Sequence, residues 1–297
     1  GRRWENRRTL GFYAQELERR YGALLRDAPI GVLCADDKLC ALLQEAAALS
    51  GNLFRAVSVD PMALTEGQEA LRAVMKQAGL RLAAYLPGPL EDFTLVDGEG
   101  RQVQEQELDL LHLDILMGRA RRREGIPVPA YMPHAMDILA HRHGCSCVPD
   151  GANRQEWLER FCEVCQDEPE VVALSQMVQD PIRSLLENWA ALRRGQSFHE
   201  HLLMLPRCCL IAREVSCPKA YKGTLLRLLH EDKQANEVKD LRGGIQLLRE
   251  KGRTLISPDS ALSSVRIFTE ADDMEAAEEI STFYADRIRE LIEQKER

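Results

Sequence analysis

Apolar residues in the first stretch fall at Leu10, Tyr13, Leu17, Tyr21, Leu24 and Leu25. That is roughly the spacing of one helix face, so residues 4–27 read as an amphipathic helix. The pattern then changes period. "PIGVLCAD" (29–36) is short, apolar and bounded by Pro, which suits a buried strand. "DDKLCALLQEAAALSG" (36–51) reads as a helix with Asp at its start and Gly51 at its stop. "LFRAVSVD" is a second strand, "EGQEALRAVMKQAG" (66–79) a second helix closed by Gly79, and "LRLAAYL" a third strand. "DFTLVDGEGRQV" predicts a strand, a turn at 97–100 and a return strand. "QEQELDLLHLDILMGRA" is a further helix. Strand and helix alternating at this pitch predict a right-handed βαβ sheet with helices on its faces.

Charge, Gly and Pro cluster at "RRREGIPVPAYM" (121–132) and mark a break. A second α/β unit is predicted beyond it: helix 133–144, strand "CSCVPD", helix 154–165 and helix 180–195. Another break falls near "MLPRC" (204–208). The last part reads as strand "CLIAREVSC", helix "YKGTLLRLLHED", hairpin "GIQLLREKGRTLISP", strand "SVRIFTEA" and a long acidic helix, an α+β arrangement.

Composition narrows the classes. The 297 residues suffice for two or three domains, and 45% apolar content supports substantial cores. A net charge of -8 argues against general nucleic-acid binding. No stretch approaches the ~20 apolar residues of a membrane span. The chain begins without Met or an apolar signal core, so the expectation is an excised piece of a longer polypeptide. Nine scattered cysteines suit reduced thiols, and a cytoplasmic setting is expected. The one dense basic run, "GRARRREG" (118–125), reads as a solvated connector, with an anion or partner patch as the alternative.

Three stretches resemble the α-D-phosphohexomutases, the phosphomannomutase/phosphoglucomutase family. The first is "GLRLAAYLPGPLEDFTLVDGEGRQVQEQELDLLHL" (79–113). The second joins "PVPAYMPHAMDILAHRHGCSCVPDGANRQEWLERF" (127–161) to "VQDPIRSLLENWAALRRGQSFHEHLLMLPR" (178–207). The third joins "CLIAREVSCPKAYKGTLLRLL" to "TLISPDSALSSVRIFTEADDMEAAEEI". The resemblance implies consecutive α/β/α domains followed by an α+β domain. A lead-in helix (1–27) precedes domain II-like 28–121, domain III-like 122–206 and domain IV-like 207–297. The family's first domain, which carries the phosphoserine nucleophile, has no counterpart here.

The framework matches better than the chemistry. The family's metal loop brings three aspartates and an arginine, and those positions here are Pro87, Pro89 and Glu91, and Asp92. A hard dication wants several anionic oxygens, so no metal is expected and Mg²⁺ would enter only in an active mutase. The family's phosphate loop, Arg-Pro-Ser-Gly-Thr-Glu-Pro, falls on Ser257 to Ser263. The bidentate Arg is gone, Gly has become Ser260, and Asp259 adds repulsion. Ser257, Ser260, Ser263, Ser264 and Arg266 are the remnant positions, expected to bind phosphate weakly if at all. The sugar-binding loop should lie between Phe161 and Asp180, where no Gly or His occurs. Asp180 and Pro181 read instead as a helix cap.

His141, His143, Cys145, Cys147, Cys162 and Cys165 carry ligand types, and "CEVC" has a zinc spacing. Periodicity splits them: His141 and His143 fall at a helix end, Cys145 and Cys147 share one strand face, and Cys162 and Cys165 read as small buried residues inside a helix, which leaves zinc as the minor alternative. Cys208, Cys209 and Cys217 read as core thiols, Asp36 and Asp37 as helix capping, and His199 and His201 as surface or capping residues. His134 could neighbour a cleft.

The expected function is the C-terminal, phosphohexomutase-like region of a larger sugar-phosphate or nucleotide-sugar protein, without phosphoryl transfer and with a structural or regulatory role. The resemblance also implies a fusion behind a sugar-nucleotidyltransferase. The alternatives are an active mutase with its serine upstream and a non-catalytic sugar-phosphate sensor. The partners expected are upstream domains of the same polypeptide, a second copy, and weakly a hexose phosphate, but no nucleic acid or membrane.

Overall fold

The computed structural model describes residues 2–60, 67–88, 93–151, 153–207, 209–231, 236–241, 243–259 and 262–296. The chain forms two compact units, 1–116 with 174–205, and 117–173 with 206–297.

The first unit is built on a four-stranded sheet ordered β2-β1-β3-β4. Its strands are β1 (Ile30–Cys34), β2 (Arg55–Ser58), β3 (Leu82–Leu86) and β4 (Thr94–Asp97). The first three run parallel and β4 is antiparallel to β3. Side chains alternate between the two faces. Ile30, Val32, Cys34, Leu82, Ala84 and Leu86 join one core. Helices α1 (Arg2–Leu25), α2 (Asp37–Leu49), α4 (Glu105–Arg119), α8 (Pro181–Ala191) and α9 (Phe198–Leu203) contribute to it. Leu33, Ala83, Tyr85 and Val96 face the other way, onto Leu71 and Met75 of α3 (Gln68–Ala78). The βαβ expectation is therefore met. The predicted return strand is a single bridge, Val96 to Gln102. The turn before it is pressed against α3: Gly100 has φ +77, and a Cβ there would lie 2.3 Å from the Gln68 carbonyl.

Helix α8, grouped with the second α/β unit in the sequence reading, packs on the first sheet against β3, β1 and α1. Its register with α1 is polar. Tyr13 donates to Asp180 at 2.9 Å, Arg183 pairs with Glu16, and Tyr21 and Arg20 both reach Glu187. Partner numbers climb together on both helices, so the two run in the same direction. Burial, then the Asp180 and Glu187 carboxylates, push the Tyr13 and Tyr21 hydroxyls well above the usual phenol range. His112 on α4 also meets Ser184 on α8, at 2.7 Å in the core.

The second unit holds a two-stranded parallel sheet, β5 (Ile126–Val128) with β6 (Cys147–Pro149). β5 lies inside the segment read as a break, where Pro and Gly masked three buried residues. Helices α5 (Pro133–Arg142) and α6 (Arg154–Val164) accompany it. Between Phe161 and Asp180, where the resemblance would put the sugar-binding loop, lie the end of α6, α7 (Pro169–Ser175) and a 3-10 turn, Gln176–Val178. The second sheet is antiparallel, ordered β7-β11-β10-β9-β8. Its strands are β7 (Leu210–Ser216), β8 (Glu237–Leu241), β9 (Gly244–Arg249), β10 (Gly252–Pro258) and β11 (Ser264–Ala271). β8 is too polar to have been read from periodicity. One face packs on α10 (Lys222–His230) and α11 (Met274–Glu296) through Val265, Ile267, Tyr284 and Ile288. The other carries Phe268, stacked on Tyr131 at 4.9 Å, and Glu270. The Glu270 carboxylate accepts the His134 and Ala135 N–H groups at 3.0 and 3.3 Å. It caps α5, whose own N-cap residue, Met132, offers no side-chain bond.

Arg183 is buried among two carboxylates. Arg183→Ala is expected to destabilise the first unit by about 3–5 kcal/mol, because it strands buried charge. Urea unfolding measures this, and a loss below about 1 kcal/mol would contradict the ladder's role.

Candidate functional site

The second unit contains a cleft of ~820 Å³. Its size suits a small ligand. One wall is α10 and the turn before it, where residues 219, 222, 226 and 230 recur at helical spacing. The opposite wall is the end of β8, Gly243, Gly244 and the chain leaving β10 at Pro258 and Asp259. Asn153 and Glu156, at the start of α6, close one side. Gly243 has φ +81, and a Cβ there would lie 2.4 Å from the Glu156 carboxylate. Only glycine allows the turn and this approach together.

The loop after β10 is arranged around a cation. Lys222 Nζ donates to the Asp259 carbonyl, and to the Leu262 carbonyl at 2.5 Å. Two described N–H groups of the loop are used within it. Asp259 N–H donates to the Ser264 carbonyl at 3.1 Å, and Leu262 N–H to the Asp259 carboxylate at 2.8 Å. An anion cradle needs N–H groups converging on the ligand. Here carbonyl oxygens converge on an ammonium. The described lining residues include three Lys/Arg (Lys219, Lys222, Arg227) and four Asp/Glu (Glu156, Glu231, Asp240, Asp259). His230 sits 3.4 Å from Asp240. Among the described lining residues positive charge is not in surplus.

The described remnant positions do not form a ring of hydroxyls. Ser257 donates to the Gly243 carbonyl at 3.2 Å, Ser264 is buried and Ser263 is exposed. Arg266 lies over the Phe268 ring at 4.9 Å. Ser260 lies outside the described residues, as do Pro89, Glu91 and Asp92 of the metal-loop stretch. Pro87 is half-buried and supplies no oxygen donor from its side chain. Residues 87–92, Pro-Gly-Pro-Leu-Glu-Asp, contain two adjacent carboxylates and no third, which does not fit a Mg²⁺ cage.

The zinc candidates lie on different elements: His141 and His143 at the end of α5, Cys145 before β6, Cys147 on it, Cys162 in α6 and Cys165 at its C-cap. Cys145, expected on the strand, precedes it, and Cys165, expected inside the helix, ends it. Cys147 donates to Asp137 at 3.3 Å and Cys145 to the Ala140 carbonyl at 3.4 Å. Among the described residues no group of three His, Cys, Asp or Glu is placed to hold a metal. Cys34, Cys40, Cys165 and Cys217 are buried, Cys209 is half-buried, and Cys208 lies outside the described residues. Burial and the neighbouring Cys40 push the Cys34 thiol up to about 12. Asp36 caps α2 by accepting from Leu39 N–H at 2.7 Å, and Asp37 accepts from Ser58 Oγ at 2.6 Å. Asp180 accepts from Ile182 and Arg183 N–H groups and caps α8.

Two arrangements escaped the sequence reading. His199, expected as a surface or capping residue, is exposed, and its contact with the buried Asp97 through Nδ1 at 3.2 Å is the part that was not foreseen. The cleft wall formed by Lys219, Lys222 and His230 went unread, although "KAYKGTLLRLLH" carries it as a polar stripe, and of the far wall only the stretch around Asp259 had been singled out.

No protein-family profile matches the chain. A protein named "Probable phosphoglucosamine mutase" from Methanopyrus kandleri is 26% identical over 149 residues, which is 50% of this chain and 30% of that protein. Among solved structures, a phosphoglucomutase/phosphomannomutase family protein from Burkholderia thailandensis superposes with a TM-score of 0.63 at 12% identity. It covers 94% of this chain and 64% of that one. The fold is that of the phosphohexomutases. The N-acetylphosphoglucosamine mutase of Aspergillus fumigatus, solved with GlcNAc-6P and magnesium, gives a TM-score of 0.58 at 14% identity, covering 94% of this chain and 65% of that one. The chain thus spans under a third of the curated relative and just under two thirds of these structures. At these identities the likeness carries the phosphohexomutase fold and not the activity.

Lys222→Met should leave the Asp259 and Leu262 carbonyls without their donor. The expected cost is about 1 kcal/mol, with faster hydrogen exchange at the Leu262 amide. Unchanged exchange there would contradict the cation-centred loop. Cys34 should resist iodoacetamide at pH 8 in the native protein and react once unfolded, as read by mass spectrometry. Alkylation at equal rates would refute its burial.

Proposed function

We propose that the chain is the phosphohexomutase-like region of a larger protein of sugar-phosphate or nucleotide-sugar metabolism. In this reading it transfers no phosphoryl group itself and has a structural or regulatory role. It comprises a lead-in helix and three phosphohexomutase-like domains, 28–121, 122–206 and 207–297. Its partners are upstream domains of the same polypeptide, including a sugar-nucleotidyltransferase, and a second copy, in a reducing cytoplasm.

One observation carries this reading. Lys222 is held by carbonyls in the loop that the resemblance aligns with a phosphate grip. Phosphoryl transfer depends on positioning and on neutralising the phosphate's charge. A loop turned carbonyl-inward, with Asp259 in it, opposes both. Losing a preorganised electrostatic donor costs a phosphoryl-transfer site on the order of several kcal/mol of transition-state stabilisation.

Calorimetry with glucose 6-phosphate and mannose 6-phosphate should show no saturable heat up to about 1 mM. The parent protein should not interconvert hexose 1- and 6-phosphates above a no-protein control when given Mg²⁺ and a bisphosphate activator. Turnover would revive the active mutase, and saturable binding without turnover the sensor.

A further inference from the structure

The antiparallel sheet of the second unit ends in two edges of different character. At β8, Glu237, Lys239 and Asp240 place three charges in five residues, one of the ways a natural edge is kept from pairing. β7 is longer, at seven residues, and carries two charges, Arg213 and Glu214. Both are compensated within the chain. Arg213 pairs with Glu278 of α11 and donates to Ser281 at 2.9 Å, and Glu214 stands opposite Arg266 in the ladder.

The hydrogen-bond phase of β7 follows from the bonds at its two ends. Cys217 N–H donates to the Ser263 carbonyl and Ala271 N–H to the Cys209 carbonyl, in the register that pairs Ser216 with Ser264. In an antiparallel ladder, alternate residues turn both backbone groups to the same neighbour. Ile211, Arg213 and Val215 therefore face β11, and Leu210, Ala212, Glu214 and Ser216 turn their N–H and C=O groups outward. Among the described residues no strand lies beyond them, and Ala212, Glu214 and Ser216 are exposed.

We propose that β7 pairs antiparallel with β7 of a second copy, about a twofold axis at Ala212, so that two sheets become one continuous sheet. This dimer rests on the reading above, which includes a second copy, and locates the contact. Charge selects both occupant and register. An edge whose two charges are already compensated offers little to draw an acidic or a basic segment. Outward backbone groups must meet outward groups, so a twofold pairing that uses most of β7 centres on Ala212, Arg213 or Glu214. Centring on Arg213 sets that residue against its own copy, and centring on Glu214 does the same for the acid. Like charges directly opposite are destabilising. Centring on Ala212 sets Ile211 against Arg213 and Leu210 against Glu214, with a small side chain on the axis. The main-chain bonds then supply affinity and the side chains the register.

The test is sedimentation equilibrium of the chain over about a hundredfold range of concentration. The parent should form a dimer that dissociates on dilution. Ala212→Pro removes only an outward N–H, which an edge strand tolerates, and should be monomeric throughout with a thermal melt matching the parent. Ala212→Cys places two thiols on paired residues whose Cα atoms lie about 5.5 Å apart, within the span of a disulfide. Glu214→Cys places them roughly 13 Å apart, beyond it. With oxidised glutathione, Ala212→Cys should yield a 212-to-212 link, identified by mass spectrometry, at least about tenfold faster than Glu214→Cys yields a 214-to-214 link. This link decides the matter if Ala212→Pro does not fold. A dimer indifferent to Ala212→Pro, or equal linking by the two cysteine variants, would overturn the β7 pairing and keep a second copy. A monomeric parent would overturn both. None of these readouts registers sugar phosphate, so turnover or hexose-phosphate binding would strike the non-transferring reading alone.

Discussion

A lysine ammonium held between two backbone carbonyls sets the polarity of the described loop residues around Asp259, in one wall of the second unit's cleft. With Lys222 in place, the Asp259 and Leu262 N–H groups turn to the Ser264 carbonyl and to the Asp259 carboxylate. Helix α10 is thereby tied to the end of β10, and the cleft between them takes a wall of mixed charge. A backbone N–H spent internally is not on offer to an anion. The same phosphohexomutase frame can therefore carry a loop of opposite electrostatic sense without a change of topology.

The scaffold that presents this loop relies on polar contacts made across long sequence distances. Glu270 on β11 caps α5, whose own sequence supplies no cap. The polar ladder from Tyr13 to Glu187 fixes α1 on α8 in the first unit. Apolar parity on the strands decides which face meets which helix, but it tolerates sliding. Buried carboxylates with paired donors do not, because a shift by one residue would leave them unsatisfied.

Most helices and strands were legible because their periods are strong. The Gly79 stop, the Asp36 and Asp180 caps and the β9–β10 hairpin all carry local signals. The failures share one cause, which is that the deciding contact is remote. β5 hides in a Pro- and Gly-rich stretch and is strand-like only because β6 lies beside it. β8 is polar and forms by pairing with β9. α8 follows a domain III-like stretch in sequence but covers the first sheet. For the site, the loss of Arg and Gly at the phosphate loop could be read directly from Ser257 to Ser263. That Lys222 would fill the loop could not, since nothing in "KAYKGTLLRLLH" says what its amine will meet.

The most direct test of the loop's polarity is an NMR titration of the chain with inorganic phosphate, following the backbone amides of Asp259 and Leu262 and the Lys222 ammonium. The account predicts that the two amides hold their shifts and that the ammonium keeps slow solvent exchange throughout. Saturable shifts at both amides, with the Lys222 ammonium released to fast exchange, would mean that the loop opens its N–H groups to an anion, and the account would be wrong.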